Sequence, residues 1–426
     1  MTRHESNPSD APPLGATPRP GLMAGAVLSL LFLLAAVPLI LARDDLGRGA
    51  YDQRVYHLPA IRQFAAQLPT PNLRDYPSAT TPAFHLVMAA VDRWLSDDPR
   101  ILQLIASLFT VALLMLLAAA TARTAGTTRA IALGLPLASS LYVFSSGVWL
   151  LPDNAAWLGL LAVLLLAMRE PLDGHTLVAA GLAMLLLVLT RQIHLWAIAL
   201  FWTAAWLSPA NRPRWLAITT LAMLPAIAAV AAFVYAWHGA VPPSLREAHQ
   251  HLNFAVPAVV LCLIAIVSAA MAGFLVPAWP RIRPAIRWVL LGILVGLILG
   301  SAPESSYSFE SGRSSGIWNI VRRLPVICNR SPLIVLLSAL GGGLSAAWII
   351  ALGRHRGTIL LVAWAAFSLA HTTGANAWQR YFEPFVLMTL VLAAAWISGR
   401  TAPRWALAGP AALALLLAAV TVLSLR

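Results

Sequence analysis

Residues 22–42 read LMAGAVLSLLFLLAAVPLILA without one charged side chain, and residues 51–59 a little beyond read YDQRVYHLP. The first stretch decides the fold class. A helix that crosses the hydrocarbon core of a bilayer needs about 20 consecutive apolar residues, and this run supplies them. The second stretch opens a polar segment that lasts until about Thr81. Acidic residues are scarce, 16 in 426, yet Asp44, Asp45, Asp52, Asp75, Asp92, Asp97 and Asp98 all fall in this part of the chain. A membrane protein that gathers carboxylates into one extramembrane loop either solvates that loop or does chemistry there.

Composition supports the membrane class. The chain is 59% hydrophobic and 11% charged, with a mean hydropathy of +0.77; soluble domains carry about 25% charged residues. The net charge of +13 comes from arginine alone, since the sequence has no lysine. In this setting the excess marks cytoplasmic loops and gives no reason to expect a nucleic-acid partner. Such an arginine-rich, lysine-free composition points to a GC-rich genome and a bacterial inner membrane. Cys262 lies in an apolar run far from Cys328, so no disulfide framework is expected. Glycine-rich phosphate loops, zinc-type Cys/His spacing and Gly-x-Ser-x-Gly are all missing, and no metal or cofactor is expected. The Pro-rich residues 1–21 read as a disordered cytoplasmic tail, and residues 22–426 as one transmembrane domain.

Thirteen apolar segments suggest themselves as spans: 22–42, 101–122, 129–149, 153–168, 176–191, 193–207, 214–237, 254–277, 285–301, 332–352, 357–371, 381–398 and 404–424. The fourth, sixth and eleventh are short, as tilted, broken or re-entrant segments are. With the N-terminus inside, every inside loop is basic: Arg123 and Arg129, Arg169, Arg212 and Arg214, Arg281 to Arg287, Arg354 and Arg356, Arg400 and Arg404. The positive-inside rule asks for this pattern. The ionisable residues of greatest interest then share the outer side, and that co-location argues for a single site. In the first outer loop (43–100), Val55, Leu58, Ile61, Phe64, Ala65 and Leu68 recur at helical spacing. They predict an amphipathic interfacial helix, with a second over Phe84 to Leu95.

Several short motifs then resemble the GT-C class of glycosyltransferases, multi-helix membrane enzymes whose donors are lipid-phosphate sugars. An Asp follows the first helix; Tyr56-His57-Leu58-Pro59 comes next, and Thr80-Thr81-Pro82 some way beyond. Within the class, scattered matches are similar to the dolichyl-phosphate-glucose α-1,2-glucosyltransferase family. They are Asp52 through Pro59, Asp153 in an early outer turn, Arg191-Gln192, His249-Gln250, and Arg380-Tyr381-Phe382 with Pro384. Two departures stand out: Asp52 lies five residues before His57 where the family spacing is shorter, and Ile193-His194 replaces Thr-Asn. The resemblance implies transfer of a hexose, glucose in that family, from a polyprenyl-phosphate donor to a glycan or lipid-linked acceptor by an inverting mechanism.

On that basis Asp52 is the candidate general base, with Asp44 and Asp45 as rivals, and Asp153 a second carboxylate that also suits a helix N-cap. Arg191 and Arg380 are candidates for the lipid phosphate, because guanidinium forks match phosphate oxygens; arginines at helix ends also simply snorkel. Gln192, Tyr381, His57 and His249 complete the expected substrate-binding set, although a lone histidine is more often structural. A polytopic transporter or lipid flippase and a non-catalytic assembly subunit are the competing readings.

Overall fold

A computed structural model describes residues 19–42, 47–208, 211–249 and 251–425. Most of the expected tail, the rival carboxylates Asp44 and Asp45, and Gln250 lie outside the described residues. Among the described residues every regular element is helical. The first thirteen α-helices are α1 Arg19–Ala42, α2 Gly47–Asp52, α3 Leu58–Gln67, α4 Ala83–Trp94, α5 Pro99–Ala125, α6 Thr127–Ser139, α7 Leu141–Val148, α8 Asp153–Ala167, α9 Gly174–Thr190, α10 Ile198–Leu207, α11 Arg212–Trp237, α12 Arg246–His249 and α13 Val256–Met271. The longer helices beyond them are Ile286–Ser301, Pro332–Leu352, Arg354–Thr372, Glu383–Ser398 and Ala408–Ser424.

The chain is a helical membrane protein. Among the described residues seven helices have the length and apolarity to cross a bilayer: Pro20–Ala42, Pro99–Ala125, Arg212–Trp237, Val256–Phe274, Val276–Ser301, Pro332–Leu352 and Arg404–Ser424. The α6–α7 pair, bent by 70°, makes an eighth if counted as one span. Each of the thirteen expected segments is helical, but Asp153–Ala167, Gly174–Thr190, Gln192–Leu207 and Glu383–Ile397 are shorter apolar helices. Arg354–Thr372 opens with Arg354, His355 and Arg356, which lower its apolarity.

Glu383–Ser398 is the axis of the bundle. Phe385 through Ala395 are all buried, including Thr389, whose hydroxyl bonds back to the Phe385 carbonyl. A helix that is apolar on every side belongs inside protein, and α5, α6, α13 and Pro332–Leu352 surround this one. The residues just before it are therefore delivered to the end of the bundle core.

The helix expected over Val55–Leu68 is present but begins earlier: α2 runs into a π-helical turn, Gln53–His57, and then into α3. The helix is tolerated there because its polar side chains find partners. Gln53 Oε1 accepts from Gln103 Nε2 at 3.1 Å and from the Leu150 amide at 2.8 Å. Gly49 lets α2 lie against the Trp149 indole, where a Cβ would clash. The α3 and α4 helices appear near their expected places and pack together through Ile61, Phe64, Phe84 and Met88, with Tyr76 and Trp237 alongside.

Candidate functional site

The π turn positions the first carboxylate. In a π turn the bond runs from i+5 back to i, here from the Leu58 amide to the Gln53 carbonyl. Residues five apart then share a face, so Asp52 and His57 stand on the same side of the helix and both are buried. The five-residue spacing of Asp52 and His57 is the spacing this turn accommodates.

Asp52 is held by two arginines. Arg380 Nη1 donates to Asp52 Oδ2, and Arg48 Nε lies 3.8 Å from Oδ1. The second carboxylate is held in the same way, with Arg191 Nη1 donating to Asp153 Oδ1. The two ion pairs meet on one ring: the Arg191 and Arg380 guanidiniums stand 5.2 Å and 5.0 Å from the centre of Tyr381. Trp378 stacks on Tyr381 at 5.7 Å and also faces Arg380 and Arg48. Guanidiniums and aromatic rings thus alternate across the cluster at cation–π distances. With three arginines against two carboxylates, its formal charge is +1.

Local structure explains each position. Asp153 opens α8 beside a turn pinned by Asn154, whose Nδ2 donates to Thr110 Oγ1 at 2.6 Å and to the Val143 carbonyl at 2.8 Å. Arg191 sits in extended backbone immediately after α9. Arg380 and Tyr381 lie in a 3₁₀ turn. That turn is anchored by Gln379, which donates to the Glu383 carboxylate and accepts from the Ile317 amide at 2.8 Å. Glu383 also accepts from Ser140 Oγ at 2.6 Å.

The histidines differ in position. His57 bonds His85, Nδ1 to Nε2 at 2.9 Å, with the rings edge to edge and their planes 23° apart. Burial, then the Arg380 and Arg191 charges, lowers its pKa to about 3. His249 on α12 is half-buried, and burial followed by the same two arginines lowers its pKa, so it lies within their electrostatic reach. Gln192 stands apart from the ion pairs in its bonding. Its Oε1 accepts from the Thr81 amide at 2.9 Å, and its Nε2 donates to the Ala79 and Ala240 carbonyls at 2.8 and 2.9 Å. Its amide therefore ties loops together. Thr81 Oγ1 donates to the Val188 carbonyl at 2.6 Å, so this motif threonine is an anchor as well.

Seven of the eight site residues expected from sequence (Asp52, His57, Asp153, Arg191, His249, Arg380 and Tyr381) are thus linked by bonds, ring contacts or electrostatic reach. Arg48, Gln53, His85 and Trp378 were missed. A polar residue on an otherwise apolar face, as His85 is in AFHLVMAAVDRW, was the available signal for one of them; Arg48 looked like any loop arginine. A separate cleft of about 780 Å³ opens among His251, Asn253, Glu304, Glu310 and Arg313, and none of its lining residues belongs to the cluster.

Fold and site together define a helical membrane protein with an arginine-rich charged cluster, its two carboxylates buried, at one end of its bundle. Compared with known protein families, curated proteins and solved structures, the chain matches none.

Proposed function

We propose that this protein is an inverting glycosyltransferase that moves a hexose from a polyprenyl-phosphate donor to a glycan or lipid-linked acceptor. One observation carries the reading: two carboxylates from distant segments are each held by an arginine, and both guanidiniums lie over the ring of one tyrosine. A net charge of +1 suits a phosphodiester, which carries one negative charge. The donor phosphate takes Arg380 and Arg191 in place of the carboxylates, and Asp52 is released toward the acceptor. The acceptor hydroxyl gives its proton to Asp52 as its oxygen bonds the anomeric carbon. The bond from that carbon to the phosphate oxygen breaks, and its electron pair leaves on polyprenyl phosphate, whose charge the arginines stabilise. Asp153 orients hydroxyls, and His57 and His249 line the site.

We further place the site on the outer face of a bacterial inner membrane, with thirteen spans and the N-terminus inside; the basic inside loops support that topology. The α3 and α4 helices then lie in the outer interface. The α6–α7 break of 70° favours the second reading, a transporter or flippase, because such folds use broken helices in corresponding positions of two halves. Among the described residues the break has no counterpart.

The test is release of polyprenyl phosphate by purified protein in lipid, with panels of polyprenyl-phosphate hexose donors and of glycan and polyprenyl-linked acceptors, for the native chain and Asp52→Asn. Release that falls about 10²-fold or more in the variant is the expected outcome for losing a general base. Release that is unchanged moves the base to another carboxylate. No release from any donor by the native chain refutes the transferase reading.

A further inference from the structure

The His57–His85 pair admits two tautomers, and they differ in what they leave buried. His85 is fully buried, and its Nδ1 has no hydrogen-bond partner. Around it stand the Phe84 and Tyr76 rings, at 5.5 and 6.4 Å. If His57 Nδ1–H donated to His85 Nε2, the proton of neutral His85 would sit on Nδ1, an N–H donor sealed in apolar surroundings. If His85 Nε2–H donates to His57 Nδ1, the sealed atom is a bare lone pair. Buried orphan donors are rarer than under-satisfied acceptors. Both rings are neutral at pH 7, because burial holds each pKa far below the ordinary histidine value.

We propose that His85 is a positioning residue: it donates Nε2–H to His57 Nδ1 and thereby fixes His57 as a neutral imidazole whose own Nε2–H is left to donate to a phosphate oxygen. The opposite edge of the His57 ring agrees with this role. Nε2 forms no hydrogen bond among the described residues and, unlike His85 Nδ1, is not sealed from solvent. The two rings lie edge to edge and nearly coplanar, with centres 5.2 Å apart and planes 23° apart, the geometry of an in-plane N–H···N bond. A neutral donor has a use beside two guanidiniums. It adds a directed bond to an anionic oxygen without adding a further cation to the arginine cluster. His85 never touches the ligand; it acts by deciding which nitrogen of His57 holds the proton. The inference rests on the lipid-phosphate reading of the site, and its test does not require sugar transfer.

Histidine-selective ¹⁵N NMR of the full chain in micelles at pH 7, assigned with His57→Gln and His85→Gln, reads the tautomer directly. The expected spectrum gives His57 a pyrrole-like Nε2 and a pyridine-like Nδ1. Titration with polyprenyl phosphate, followed by tryptophan fluorescence, supplies the second readout. Affinity falls about tenfold or more in His57→Phe and in His85→Phe, as for a lost hydrogen bond to a charged group, with no further loss in the double variant. His85→Gln, which keeps a donor in reach of His57, retains affinity within about threefold. A pyridine-like Nε2 on His57, unchanged affinity in His85→Phe, or no binding by the native chain overturns the proposal. A protein that passes both tests yet releases no polyprenyl phosphate from any sugar donor sinks the transferase reading and leaves this assignment standing.

Discussion

Replacing Asp52 by Asn should move ligand binding and turnover in opposite directions. Asp52 pairs with the guanidinium that the phosphate needs, and their side chains are 8% and 21% exposed. A hydrogen bond to a charged group is worth about 1.5–3 kcal/mol. Arg48 also lies near the carboxylate, and Arg380 keeps its contacts with Tyr381 and Trp378. The share regained when the competitor is removed is therefore about 1.4 kcal/mol, which is tenfold in affinity. Asp52→Asn should bind polyprenyl phosphate about tenfold more tightly while its transfer rate falls about 10²-fold or more. Arg380→Gln should lose affinity instead. The assay pairs a fluorescence titration with single-turnover transfer on the same preparations, after thermal unfolding has confirmed that each variant is folded. Weaker phosphate binding by Asp52→Asn would refute the exchange of partners, because a carboxylate that only shaped the pocket would never compete with the ligand.

Tyr381→Leu removes two cation–π contacts, each worth about 0.5–1 kcal/mol, so polyprenyl phosphate should bind about five- to thirtyfold more weakly, with Tyr381→Phe close to native; equal affinity in the leucine variant contradicts the role of the ring. His57 stays neutral when folded down to about pH 3, whereas the unfolded chain protonates it near its ordinary value of about 6.5. The unfolded state thus binds the extra proton, and stability is full above about pH 6.5. It is lost as pH falls, by up to about 1.4 kcal/mol per unit from this group. Melting curves at pH 7 and pH 5 should diverge in the native chain and diverge less in His57→Gln. Gln192→Leu should lower the melting temperature, since two part-buried amide bonds and one exposed one, at up to about 1 kcal/mol each, are lost; an unshifted melting curve would show that the loops do not depend on it. Cys328 is exposed and Cys262 buried, so a membrane-impermeant maleimide added to intact cells should label Cys328 alone, and labelling only after lysis would reverse the proposed sidedness.

Helix positions were legible because each needs only local information. Apolar runs long enough to span a bilayer announce themselves, and all thirteen expected segments coincide with helices. How many of them cross was not legible: Glu383–Ile397 and Asp153–Ala167 are as apolar as the longer helices but shorter, and only packing decides whether such a helix is a core element or a span. The candidate site was readable as a set of residue types on a shared side. Asp52 and Arg380, 328 positions apart, required the fold to become a pair.

What the sequence determined by itself was the class of protein, the location of its helices, and the scarcity that made each carboxylate conspicuous; these follow from hydrophobicity and spacing within single segments. Only the tertiary structure decided that Asp52 pairs with Arg380 and Asp153 with Arg191, that Gln192 holds backbone, and that His85 stands behind His57. Those outcomes depend on burial. A side chain removed from water must satisfy its charge or hydrogen bonds with whatever the fold brings near it, and no local stretch of sequence specifies that neighbour.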